Sequence, residues 1–189
     1  SNQVSCIYFG DGATEEGVFY ESLNFSAVRG LPVLYICENN LYSVYSSLSD
    51  RQPKNRKIFE MVKAIGIDSN HIDGNDAIEA YKVVNEIVDK IRTTGKPQFI
   101  EISTYRWMEH CGPNYDNDIG YRKLKEFEKW KNDDPISNLE NYLKENKVIT
   151  DLYIKNISKE IDTEIQQAFT FAEDSDFPAE DSLYDYIYE

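Results

Sequence analysis

Val4-Ser5-Cys6-Ile7-Tyr8-Phe9-Gly10-Asp11-Gly12-Ala13 runs from a mostly apolar stretch into a glycine-flanked aspartate, and this junction decides the fold. The apolar half reads as a strand, and the glycines mark a turn at its end. Thr14 is placed to cap a helix, with Glu15 and Glu16 in its first turn, where the positive end of the helix dipole favours acids. Val18, Leu23, Phe25, Ala27 and Val28 make that helix mostly apolar, and it ends near Gly30. After Pro32 comes a second apolar run, Val33-Leu34-Tyr35-Ile36-Cys37. Neither run alternates with polar residues, so both are expected to be buried on two faces of a parallel sheet. Cys6 and Cys37 are then expected to be buried free thiols. Strand, helix and strand form one βαβ unit whose ligand edge lies at the strand C-termini.

The same alternation continues. A helix is expected over Ile58 to Ile65, a brief strand at His71-Ile72-Asp73, and an amphipathic helix over Asp76 to Thr94 closed by Gly95 and Pro97. Gln98 to Ser103 is a third strand. The pattern predicts an α/β fold, a doubly wound parallel sheet with helices on both faces. The segment between Asn40 and Lys57 reads as irregular, and Glu109 to Gly120 as a long loop of the kind that carries function. Helices are expected near Tyr121 to Lys131 and Pro135 to Asn146. A last one starts at Thr150 with the stripe Ile154, Ile157, Ile161, Ile165, Ala168 and Ala172. Tyr184, Tyr186 and Tyr188 alternate near the end. The whole, 1–189, is expected to be one domain with a helical extension from about residue 121.

At 189 residues and 41% apolar content the chain can bury a core. A net charge of −14 argues against nucleic acid as a partner. No apolar run approaches the roughly 18 residues of a membrane span. The acidity is uneven: residues 151–189 carry −9 and the other 150 only −5. Three cysteines without a spacing pattern argue against a disulfide framework and for a reducing, cytoplasmic compartment.

The two strand ends carry complementary chemistry. Asp11 offers a carboxylate and Asn40 an amide oxygen, with a backbone carbonyl just beyond, such as that of Tyr42, as a third donor. Magnesium takes oxygen ligands of this kind and shares them with phosphates. Gly12 and Ala13 have no bulk to keep a diphosphate from their N–H groups. A lone Gly-Asp-Gly is most often only a turn, and a lone Asn-Asn only a loop. Together, at two strand ends separated by one helix, they point to a cation and diphosphate clamp.

Gly10-Asp11-Gly12-Ala13-Thr14-Glu15-Glu16-Gly17, then Glu21, Asn24, Ala27, Leu31-Pro32-Val33 and Glu38-Asn39-Asn40-Leu41-Tyr42, resemble the alpha subunit of thiamine-diphosphate-dependent 2-oxo acid dehydrogenases. Asp73-Gly74-Asn75-Asp76, Thr104-Tyr105-Arg106 with His110, Tyr121-Arg122, Asp134-Pro135-Ile136 and Tyr142-Leu143 follow in the family's order. The resemblance implies a thiamine diphosphate-binding fold. Asp11, Asn40 and the Tyr42 carbonyl would bind Mg2+, Gly12 and Ala13 would contact the diphosphate, and Arg106 would add positive charge there. His110 would stand near the reacting ring, where an imidazole suits proton transfer. His71 is read as structural or surface.

Three departures from the family bear on chemistry. Cys111 stands where animal enzymes carry a phosphorylated serine. Trp107-Met108-Glu109 is bulkier and more acidic than usual, and Glu109 would oppose an anionic substrate unless it points away. Gly112-Pro113-Asn114-Tyr115 replaces a Ser/Asp-rich segment.

The implied activity is oxidative decarboxylation of a pyruvate-like 2-oxo acid, with acyl transfer to a lipoyl group. The implied partners are a beta subunit carrying the pyrimidine-binding domain, in an assembly of two alpha and two beta chains, and a lipoyl-bearing acyltransferase. The family's N-terminal part is not in this sequence. Three other readings stand beside this one. They are a thiamine enzyme half-subunit of transketolase or decarboxylase type that works without lipoate, a non-catalytic scaffold, and a magnesium phosphohydrolase.

Overall fold

The computed structural model describes residues 2–187, so Tyr188 of the tyrosine alternation lies outside the described residues. Strands β1 (Ser5–Gly10) and β2 (Val33–Asn39) are joined by a 3-10 turn at Asp11–Glu15 and a helix. A small antiparallel pair follows, β3 (Tyr42–Ser43) and β4 (Ser46–Ser47), and then come β5 (Asp68–Asp73) and β6 (Gln98–Ser103). The main sheet is wholly parallel in the order β1-β2-β6-β5. The helices of this part are α1 (Gly17–Arg29), α2 (Leu48–Arg51), α3 (Ile58–Ile65), α4 (Ala77–Thr94) and α5 (Leu124–Lys131), followed by α6 (Pro135–Glu145).

Two apolar clusters flank the sheet, as a doubly wound fold requires. On one face Phe19 and Leu23 of α1 and Ile58 and Val62 of α3 pack on Val33, Tyr35, Cys37 and Phe99. On the other, Ile87 and Ile91 of α4 pack on Leu34, Ile36, Ile72 and Ile100. The expected α/β sheet with helices on both faces is therefore observed. Alternate residues of β2 and β6 feed opposite clusters, which explains their unbroken apolar runs.

The expectation fails for β1. Its residues are exposed or half-buried, and Cys6 is an exposed thiol, whereas Cys37 is buried as expected. The physical reason is position: among the described residues β1 is the outermost strand and pairs only with β2. Helix α1 also departs from expectation. It starts at Gly17, after Glu16 breaks into an extended conformation, and not at Thr14. Thr14 Oγ1 donates to the Asp11 carbonyl at 2.7 Å, so it tightens the 3-10 turn and caps nothing. Val18, Phe25 and Val28 of α1 face outward with 60–75% exposure.

The chain divides into two compact units, Ser1–Asn141 and Tyr142–Glu189. The second holds α7 (Asp151–Asp174), capped by Thr150 Oγ1 accepting from the Tyr153 N–H at 3.2 Å, and a 3-10 turn at Glu180–Tyr184. The Ile157, Ile161 and Ile165 stripe of α7 lies on a helix as expected, and these side chains are exposed. Among the described residues, no helix is long and apolar enough to cross a membrane.

Candidate cation and diphosphate site

The register brings the expected strand ends together. Gly10 pairs with Glu38 and Asn39 with Ser103, so the C-termini of β1, β2 and β6 share one edge. The Thr104 N–H donates to the Asn39 carbonyl at 3.0 Å and carries that alignment into the chain beyond β6.

Asp11 opens the 3-10 turn and is 1% exposed. A carboxylate this deeply buried requires a counter-charge. The Arg51 guanidinium supplies it, pairing with Asp11 and with Glu15 at 2.5 Å. Next to Arg51, Gln52 Nε2 donates to Thr14 Oγ1 at 3.1 Å and to Glu15 Oε1 at 3.0 Å. Gly12 lies directly against β3, where an added Cβ would stand 2.6 Å from Ser43 Oγ. A side chain at position 12 would collide with the Ser43 side chain. Ala13 is exposed at the following position. Arg51, Gln52 and Ser43 were not legible in the sequence, because their segment reads as irregular and forty residues separate Arg51 from Asp11.

The Asn39-Asn40 pair is a double turn. Leu41 N–H donates to Asn39 Oδ1 at 3.1 Å and Tyr42 N–H to Asn40 Oδ1 at 3.0 Å. The Asn39 side chain points inward and donates to Glu101 Oε1 at 2.7 Å. Asn40 is half-buried, and its oxygen keeps a second lone pair. Leu41 and Val44 adopt φ of 73° and 56°, the left-handed region that L-residues enter only when surroundings enforce it. Tyr42 and Tyr105 both donate to Glu126 Oε1, at 2.7 and 3.0 Å. Burial first, and then the Glu126 charge, push the Tyr105 hydroxyl up to about 12. Burial followed by the Glu126 hydrogen bond raises Tyr42 as well. Burial likewise raises the Cys37 thiol, which stays protonated and unreactive.

The loop after β6 stands on a buried ionic base. Asp116 and Arg122 are paired at 2.5 Å with both side chains 1% exposed. Arg122 also donates to the Arg106 and Trp107 carbonyls, at 2.6 and 3.1 Å. Arg106 donates to the Val44 carbonyl at 2.9 Å, to Met108 O at 3.0 Å and to Tyr121 Oη at 3.1 Å, and lies 3.6 Å from Asp116. Its guanidinium is therefore tied to the segment just beyond Ser43. Higher in the loop, Glu109 N–H donates to Asn114 O at 2.8 Å, while Glu109 Oε1 accepts from both Asn114 N–H groups at 3.1 and 2.8 Å. The Glu109 carboxylate is thus spent inside its own loop. His110 and Cys111 are exposed at the tip of this closure. His71 is a surface residue on β5, stacked on Phe59 at 5.3 Å and bonded to Ser103 Oγ at 2.8 Å.

Among the described residues, no three His, Cys, Asp or Glu side chains converge to hold a metal. Asp11 and the Asn40 amide are oxygen donors of the kind a hard cation takes, and they follow the paired ends of the first two strands.

A parallel sheet covered by helices on both faces, with its glycine turn and buried carboxylate at the strand C-termini, defines a doubly wound α/β protein of the type that binds ligands at that edge. The chain belongs to the family described as dehydrogenase E1 component, whose model matches residues 1–180. It is 32% identical over 188 residues to the pyruvate dehydrogenase E1 component subunit alpha of Rickettsia bellii, covering 100% of this chain and 56% of that one. It is 34% identical over 182 residues to the 2-oxoisovalerate dehydrogenase subunit alpha of Bacillus subtilis, covering 96% and 54%. The chain thus spans about half the length of the curated relatives it matches. Among solved structures, the transketolase from Leishmania mexicana aligns with 53% of this chain and 15% of its own, at 25% identity and a TM-score of 0.44.

Proposed function

We propose that this chain is the diphosphate-side part of the alpha subunit of a thiamine-diphosphate-dependent 2-oxo acid dehydrogenase. The observation that carries the reading is the family match over residues 1–180. When bound, thiamine diphosphate supplies the electron sink for decarboxylation. Asp11, Asn40 and the Tyr42 carbonyl hold Mg2+, and Gly12 and Ala13 present N–H groups to the diphosphate. Support for this comes from the burial of Asp11 at the end of the first strand. Arg106, anchored to Val44 O, places positive charge beside that segment. His110, exposed on the loop after β6, exchanges protons with the reacting groups. Asn114 fixes the Glu109 carboxylate within the loop through two hydrogen bonds to Oε1.

The partners in this reading are a beta subunit with the pyrimidine-binding domain, in an assembly of two alpha and two beta chains, and a lipoyl-bearing acyltransferase. The compartment is the cytoplasm. Calorimetry on the full-length chain assembled with its partner should show binding of Mg2+ and thiamine diphosphate that Asp11→Ala abolishes. Decarboxylation of a pyruvate-like acid should acylate a lipoyl domain. Turnover indifferent to the lipoyl acceptor would sink the dehydrogenase reading and leave a lipoate-independent thiamine enzyme.

A further inference from the structure

Arg51 occupies the one position at which a cation would be least expected to remain if Asp11 is a metal ligand. Its guanidinium pairs with the Asp11 carboxylate, which is 1% exposed, while the Arg51 side chain itself is 12% exposed. Two further anchors hold it from the other side: Nε donates to the Ser46 carbonyl at 3.1 Å, and one terminal nitrogen pairs with Glu15 Oε1 at 2.5 Å. That nitrogen also lies 3.7 Å from where a Cβ on Gly12 would be, so the guanidinium sits at the mouth of the glycine turn.

Resting on the assignment of Asp11 to a metal site, we infer that Arg51 is the resident counter-cation of Asp11 and that a divalent metal must displace it. The buried carboxylate needs a positive partner at all times. Before metal arrives, Arg51 is that partner. A divalent ion on Asp11 competes for the same oxygen and repels the guanidinium beside it. Arg51 can release Asp11 without losing its place, because Ser46 and Glu15 continue to hold it. Exchange therefore needs only a small side-chain movement, and the apparent metal affinity is set by a competition internal to the protein.

The test is the affinity of Mn2+ alone, read by electron paramagnetic resonance on the full-length chain in its native assembly, without cofactor or substrate. Arg51→Gln removes the competing charge and should tighten Mn2+ binding about tenfold, the scale of one charge-assisted hydrogen bond. Asp11→Asn should lose binding in either background. In metal-free protein Arg51→Gln should lower Tm, and Asp11→Asn in the same chain should restore part of the loss, because an uncharged amide no longer needs the guanidinium. Unchanged or weaker Mn2+ affinity in Arg51→Gln, with binding still lost in Asp11→Asn, overturns the inference and leaves the metal site standing. Wild-type affinity in Asp11→Asn overturns the metal assignment itself and the inference with it. Should Arg51→Gln fail to fold, Arg51→Lys keeps a point charge without the fork and should tighten Mn2+ binding by a smaller factor; no change there also overturns the inference.

Discussion

The turn at Asp11 and the loop at His110 leave neighbouring parts of one sheet edge, yet they are built in opposite ways. The Asp11 turn is buried at its proposed metal ligand, clamped by Arg51 and Gln52 and pressed on Ser43. The His110 loop is exposed at the proposed proton-transfer residue and buried at its base, where Asp116, Arg122 and Arg106 form an ionic platform. The difference teaches where each part keeps its energy. Around Asp11, burial and charge pairing fall on the same atoms, those proposed to bind the metal. Around His110 they are separated by several residues, so an exposed imidazole is presented by a buried support.

Substitutions can break this comparison in a graded order. Asp116→Ala strands Arg122 in the interior, and loss of one partner from a buried pair costs about 3–5 kcal/mol. Urea unfolding should show that loss, and a change below about 1 kcal/mol would mean that the platform is not structural. Gly12→Ala forces a Cβ against Ser43 Oγ, and overpacking of this kind costs about 1–3 kcal/mol. Ser43→Gly in the same chain should recover most of it, and additivity of the two would refute the contact.

A subtler effect comes from the tyrosines under the loop. The Tyr105 hydroxyl is held up to about 12 against an unfolded value of 10.0. A raised value means that the folded chain keeps its proton longer. The resulting stabilisation is complete below about pH 10 and is lost as the pH rises towards about 12. Glu126→Gln should shift the ultraviolet titration of the tyrosines to lower pH, and an unmoved titration would contradict the role of Glu126. The smallest expected change in stability is that of His110→Ala, within about 0.5 kcal/mol because the side chain is exposed. Its turnover should nonetheless collapse. A large loss of stability would place His110 in the support and not at the reacting end.

Local signals along the chain were readable in advance. Helix α3 and strand β6 fall at their expected residues. Asp76 caps α4 by accepting from Ile78 and Glu79, and α4 ends at Gly95. Asp11 and Asn40 could be assigned to one edge because parallel strands in a βαβ unit put their C-termini side by side. The Asp116–Arg122 platform was not readable, since nothing in a polar, aperiodic stretch tells which charges will be buried together. Nor was the inward turn of Glu109, which depends on Asn114 five residues away.

By itself, then, the sequence determined the succession of main-sheet strands and larger helices and the chemistry at the strand ends, because periodicity, caps and glycine turns act over a few residues. The elements β3, β4 and α2, in the segment read as irregular, were not foreseen. Tertiary structure alone decided which apolar faces are covered. The runs of β1 and β2 look alike, but one is an edge and the other lies between two strands. The stripe on α7 has helical spacing and still faces outward. Tertiary structure also decided that Asp11 is paired with Arg51. Burial and charge pairing are properties of contacts between distant segments, and no local pattern records which segments will meet.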